Sequence, residues 1–149
     1  MLPENIHWNL YGRGYEPDGR ENISYLGAFV PEELPLHLDG SFGLVWDGPS
    51  VDTCSGIFGD YLSLNNPHKV SLYLASGLPV IIWEGAALAS FIEKAGVGFT
   101  VSSLHEIRNM IDRLSDEEYE KMKLNAKQIG RKLKSGAYLR AAAAKAAGL

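Results

Sequence analysis

The run SLYLASGLPVI, residues 71–81, constrains this chain most: a helical stretch stops at Gly77, and a strand, PVIIW at residues 79–83, follows with room only for a tight turn. An unbroken apolar run of strand length marks a strand buried on both faces, the situation of a parallel sheet covered by helices. Residues 42–46, FGLVW, have the same character. A helix that returns directly to a buried strand is the second half of a right-handed crossover unit.

The rest of the chain repeats this alternation. Residues 6–11 (IHWNLY) read as a strand ending in Gly12-Arg13-Gly14, and residues 23–29 (ISYLGAF) as a second strand. Pro31-Glu32-Glu33-Leu34 opens a short helix, with proline at a position that needs no donor and acids at the positive end of the dipole. Residues 47–66 are punctuated by Gly48, Pro49, Gly56 and Gly59 and read as one long irregular loop, a feature that in compact domains usually carries function. Residues 67–76 and 86–94 read as helices, and residues 99–101 as the last strand. Ser103 with Glu106, and Ser115 with Glu118, carry the spacing of reciprocal helix caps. The second of these helices sets Tyr119, Met122, Ala126, Ile129 and Leu133 on one face, and an Ala-rich tail follows Gly136. The prediction is an α/β fold, a Rossmann-like parallel sheet of about five strands with helices on both faces. It forms a single domain over residues 1–149, with its core at about 5–114 and C-terminal helices at 115–149.

Composition narrows the function classes. At 149 residues with a net charge of -4, the chain makes one ordinary domain and has no general affinity for nucleic acid, although a local basic patch at the C-terminus stays open. Cys54 is the only cysteine, so neither an internal disulfide nor a Cys-rich metal site can form, and a reducing cytoplasm is the expected location. The apolar runs are far shorter than the ~20 residues of a membrane-spanning helix, and the N-terminus has no signal-like pattern.

Ligands of such folds bind at the carboxyl edge of the strands, which directs attention to residues 12–14, 29–32, 47–69 and 84–86. The most informative of these is Asn65-Asn66-Pro67-His68-Lys69. Pro67 at a helix start, with Asn66 as its cap, leaves free amides facing the loop. Lys69 then sits in a first turn, where a cation is electrostatically misplaced unless an anion lies in front of it. Tyr73, four residues on, shares a face with Lys69. An isolated lysine of this kind is most often a solvated surface residue, and the wider pattern decides against that.

That pattern, GSFGLVWDG (40–48), CSGIFGDY (54–61), NNPHK (65–69), SLYLASGLPVI (71–81) and VGFTVSSLHEI (97–107), resembles the C-terminal domain of a bacterial GT-B glycosyltransferase family. The family includes β-1,6-galactofuranosyltransferases and a glucosyltransferase that extends glycans on serine-rich adhesins. The resemblance runs over residues 5–139. It implies a UDP-sugar donor, catalysis without a bound metal or other cofactor, and an N-terminal acceptor domain absent here, through which a glycan or glycoprotein acceptor binds. Carried over by position, Lys69 contacts the diphosphate, Asn65 and Asn66 line its pocket, and Tyr73 supports them. Phe29 and Arg13 are placed by location alone, as a uracil contact and a second phosphate contact. One departure is that many retaining GT-B enzymes carry two glutamates eight apart before the GxPVI strand, where this chain has Leu64 and Leu72. No DxD triplet occurs either.

Asp47 and Asp60 are the remaining candidates for polarising a sugar or an acceptor hydroxyl. Gly12-Arg-Gly14 begins like a dinucleotide fingerprint, but Pro17 occupies the place of the third glycine, which argues against NAD. The histidines show no metal-like spacing. The alternative reading is a non-catalytic regulatory or oligomer-forming module. Peripheral membrane association and homo-oligomerisation remain open.

Overall fold

The computed structural model describes residues 2–148. Five short strands, β1 (Trp8–Leu10), β2 (Ile23–Tyr25), β3 (Gly43–Val45), β4 (Val80–Trp83) and β5 (Gly98–Val101), alternate with helices. The helices are α1 (Leu34–His37), α2 (Ile57–Leu64), α3 (His68–Ala75) and α4 (Ala89–Lys94), then a 3-10 turn (Leu104–Glu106) running into α5 (Ile107–Arg113), and finally α6 (Asp116–Lys134) and α7 (Ala137–Ala146). Every strand pair is parallel, as the buried apolar runs predict.

The strands are not joined into one ladder. β1 pairs with β2, and β3, β4 and β5 form a separate sheet with β4 at its centre. A cleft of about 630 Å³ separates them, lined by residues 5–11 on one side and 38–44 on the other. Polar side chains tie β1 across to the segment before β3. Asn9 donates to the Asp39 carbonyl at 2.9 Å, and the Tyr11 hydroxyl donates to the His37 carbonyl and accepts from the Asp39 amide.

Strand alternation on β4 explains why helices are needed on both faces. Val80 and Ile82 enter one core with Leu62 of α2, Val70 and Leu74 of α3, Ile92 of α4 and Ala126 of α6. Ile81 points the other way, into a second core with Trp8, Phe99, Leu104 and Ile107. Burying a side chain of this size stabilises by roughly 1.5–3 kcal/mol, so a strand apolar on both sides requires cover on both.

The C-terminal helix α6 is part of this packing. Ala126 is fully buried, and Gly130 lies so close to α3 that a methyl group there would fall 2.2 Å from the Leu74 carbonyl oxygen. Tyr119 packs on Phe42 and donates to the Ser41 carbonyl, so the expected apolar face is the one that docks. Its cap is the expected reciprocal box: Ser115 Oγ accepts from the Glu118 amide, and the Glu118 carboxylate accepts from the Ser115 amide.

Three local expectations are corrected. The long loop contains α2, whose outward face is the apolar one: Ile57, Phe58, Tyr61 and Leu64 are exposed, while only Gly59 and Leu62 are buried. An inward stripe that narrow leaves no apolar period to read. At Ser103 the hydroxyl accepts from the His105 amide and Glu106 binds Ser102 instead, so the reciprocal box gives way to a 3-10 start. At α3, Pro67 itself occupies the cap position in extended conformation, and Asn66 lies one residue outside with no capping bond. Pro67 is extended, with ψ 128°, so the helix starts one residue later than expected, at His68.

Candidate functional site

β3 ends at Val45, and the chain leaves the sheet through Trp46 and Asp47. The indole nitrogen of Trp46 donates to the Ser50 carbonyl, which turns the loop back on itself. Buried Cys54 sits beneath this turn, and Gly48 and Gly59 close over it: an added methyl at Gly59 would meet the Cys54 carbonyl oxygen. Burial pushes the Cys54 thiol upward in pKa, against the lowering effect of the Asp47 and Gly48 amides that bond to it, so the sulfur is a neutral plug under the loop.

Directly opposite, α3 begins. The amides of His68 and Lys69 stand in the first turn, where no preceding helical carbonyl is available, and that turn contains no acid. Lys69 Nζ donates to Asp47 Oδ1 at 2.7 Å, with the two side chains 50% and 31% exposed. The misplaced cation therefore has its anion, supplied by the neighbouring loop. An ion pair this exposed contributes at most about 1 kcal/mol.

Tyr73 lies one turn below. Its hydroxyl donates to the Leu44 carbonyl at 3.3 Å, and its ring lies against Gly43, where a β-carbon would fall 2.1 Å from the ring. Burial first and the Asp47 charge second raise the phenol's pKa, so Tyr73 is a neutral donor. Lys69 and Tyr73 both line the cleft between β1 and β3.

The structure thus gathers Lys69, Tyr73 and Asp47, with Asn65 and Asn66 in the turn just before α3. The Asn65 amide closes α2, and neither carboxamide makes a side-chain hydrogen bond among the described residues. Asp60 lies in the first turn of α2, exposed and outside the cleft lining. Arg13 is exposed in the loop after β1, and Phe29 stacks on His37 with ring centroids 4.0 Å apart; neither lines the cleft. Sequence reasoning treated Asp47 as an acid for chemistry and missed its pairing with Lys69. It also passed over Asn9 and Tyr11, two apart and therefore on one side of the extended segment, which was the available signal. Among the described residues no group of three or more His, Cys, Asp and Glu is placed to hold a metal ion, and no helix is long and apolar enough to cross a membrane.

Parallel strands flanked by helices define a Rossmann-like α/β unit, and the family can be named more closely. Residues 1–146 match the model of the glucosyltransferase 3-like C-terminal domain, and the chain belongs to that family of glycosyltransferases. It is 46% identical over 144 residues to β-1,6-galactofuranosyltransferase WbbI of Escherichia coli strain K12, covering 94% of this chain and 42% of that protein. It is 33% identical over 145 residues to glucosyltransferase 3 of Streptococcus gordonii, covering 91% of this chain and 42% of that protein. The glucosyltransferase 3 of Streptococcus parasanguinis is 29% identical over 140 residues, covering 93% of this chain and 35% of that protein. The chain thus spans about two-fifths of the length of the first two relatives.

Proposed function

We propose that this chain is the donor-binding unit of a glycosyltransferase and takes a UDP-sugar at the corner where α3 begins. The names of its relatives suggest a galactofuranosyl or glucosyl donor. The observation that carries the reading is Lys69, a half-exposed cation in a helix first turn, held by an ion pair weak enough for a diphosphate to displace. On binding, the diphosphate takes over from Asp47 as partner of the ammonium. The amides of the α3 first turn face it, and the carboxamides of Asn65 and Asn66 supply further contacts. During transfer, negative charge grows on the departing diphosphate, and a fixed ammonium with a helix N-terminus stabilises it where it develops. Tyr73 holds the floor of the corner by bonding to the Leu44 carbonyl. The residues that bind the acceptor and activate its hydroxyl lie outside this unit, which is inactive alone. The work is done without a metal and in the cytoplasm.

The test is a thermal-shift titration of the 149-residue chain with UDP, UDP-sugars and other nucleotides. Binding at a hundredfold excess over Kd stabilises by about 2.7 kcal/mol, on the order of 5–10 °C in Tm for a chain of this length. Lys69→Ala is expected to remove the shift while leaving the unliganded Tm within about 4 °C, because an exposed pair is worth at most about 1 kcal/mol. An unaltered UDP response in Lys69→Ala removes the lysine from the site.

A further inference from the structure

The central strand carries its ladder one residue past its own end: the Glu84 amide donates to the Val101 carbonyl at 3.0 Å. Across the other ladder Val45 lies beside Ile82, so counting two residues on brings Asp47 and Glu84 out at one level of the carboxyl edge. Two other acids of this edge are engaged, Asp47 by Lys69 and Glu106 by the hydroxyl and amide of Ser102. Glu84 is exposed, and its carboxylate has no hydrogen bond or ion pair among the described residues. The turn that carries it is nonetheless fixed. The Ala86 amide donates to the Trp83 carbonyl, and the Ala87 amide donates to the Leu62 carbonyl of α2. Gly85 lies so close on the Trp83 indole that a β-carbon there would fall 2.5 Å from the ring. A rigid turn on the central strand therefore presents an unpartnered carboxylate at the level of the lysine corner.

We infer that Glu84 accepts hydrogen bonds from the hydroxyls of the donor's sugar and sets which sugar is taken, an inference that rests on the donor reading above. With the diphosphate at Lys69, the two ends of a nucleotide sugar leave in opposite directions. Lys69 lines the cleft between β1 and β3, and its volume of about 630 Å³ suits a nucleoside. The sugar then comes out over the ends of β3 and β4, where Glu84 stands. A carboxylate repels the phosphates, so it serves a group without charge, and its two oxygens accept from neighbouring hydroxyls. Such a residue discriminates more sharply than an apolar wall does, because a sugar that places no hydroxyl there leaves the charge desolvated and unpaired. Glucosyl and galactofuranosyl donors, the two that the relatives' names suggest, differ in ring size and in where their hydroxyls point.

The test is calorimetric titration of the 149-residue chain and of Glu84→Ala with UDP, UDP-glucose, UDP-galactose and UDP-galactofuranose. Glu84→Ala should leave the Kd for UDP within about twofold and weaken the preferred UDP-sugar about tenfold, the weight of a hydrogen bond to a charged group. Glu84→Gln, which keeps one acceptor oxygen, should lose less. The unliganded Tm of both variants should match the parent, because the side chain bonds to nothing in the free domain. Where the parent binds UDP, three results overturn the assignment and leave the donor reading standing: UDP-sugar affinity unchanged in Glu84→Ala, UDP and UDP-sugar weakened equally, or none of the three UDP-sugars bound. A parent chain that gives no response to UDP overturns both.

Discussion

Asp47 reaches across from the end of β3 to Lys69 in the first turn of α3, carboxylate oxygen to ammonium at 2.7 Å, and the two stand 22 residues apart in the chain. The pair joins a sheet edge to a helix start, so whatever anion Lys69 serves must compete with Asp47 for it.

Asp47→Asn removes that competitor. It should tighten UDP binding by up to about fivefold, the equivalent of the ~1 kcal/mol an exposed pair is worth, measured by calorimetric titration. If Asp47 were instead an acid acting on the sugar or acceptor, UDP affinity would stay put.

Gly43→Ala places a methyl group inside the Tyr73 ring position. The ring is held by its bond to the Leu44 carbonyl and by burial, so it cannot swing clear cheaply. The expected loss is about 1–3 kcal/mol in urea unfolding, the range for overpacking. The double variant Gly43→Ala/Tyr73→Leu, in which a flexible side chain replaces the ring, should recover part of it.

Gly130→Ala tests the seat of α6. The added methyl would lie 2.2 Å from the Leu74 carbonyl oxygen, a backbone atom that cannot swing aside, and α6 must lift to admit it. A loss of about 1–3 kcal/mol is expected by the same measurement. Gln128→Ala, two residues away and exposed, should be neutral within about 0.5 kcal/mol.

Acid should loosen the helix starts. Glu106 is held below the usual carboxylate range by its bonds to the Ser102 hydroxyl and amide, and Glu118 by the Ser115 hydroxyl and amide. A depressed folded pKa contributes stability that is present above the unfolded value, near 4.5 for Glu, and lost as pH falls through the lower folded value. Glu106→Gln and Glu118→Gln should therefore lower Tm at neutral pH, and the gap from the parent should close as pH drops below about 4. A gap that persists at low pH would assign the effect to shape.

How far the sequence disclosed this structure follows from what each segment buries. β4 was legible because Val80, Ile81 and Ile82 are all buried and leave an unbroken apolar run. The docking face of α6 was legible because one side only is covered. α2 was not, because its large apolar residues point outward and its buried ones are Gly59 and Leu62. The division into two sheets was hidden because which strands pair is a long-range matter that the local apolar pattern does not record. At the site, the misplaced lysine was readable from helix electrostatics, whereas its partner was not, since local spacing says nothing about a loop that returns from another strand.

The seat of α6 on α3 also bears on how the protein is made. Val70 and Leu74 share their core with Ala126, more than fifty residues further along, and Gly130 lies against the Leu74 backbone. During synthesis at the ribosome the greasy underside of α3 therefore stays wet until α6 emerges. A message truncated before that point yields a sticky, unfinished product for proteases and chaperones, even with the lysine corner fully translated.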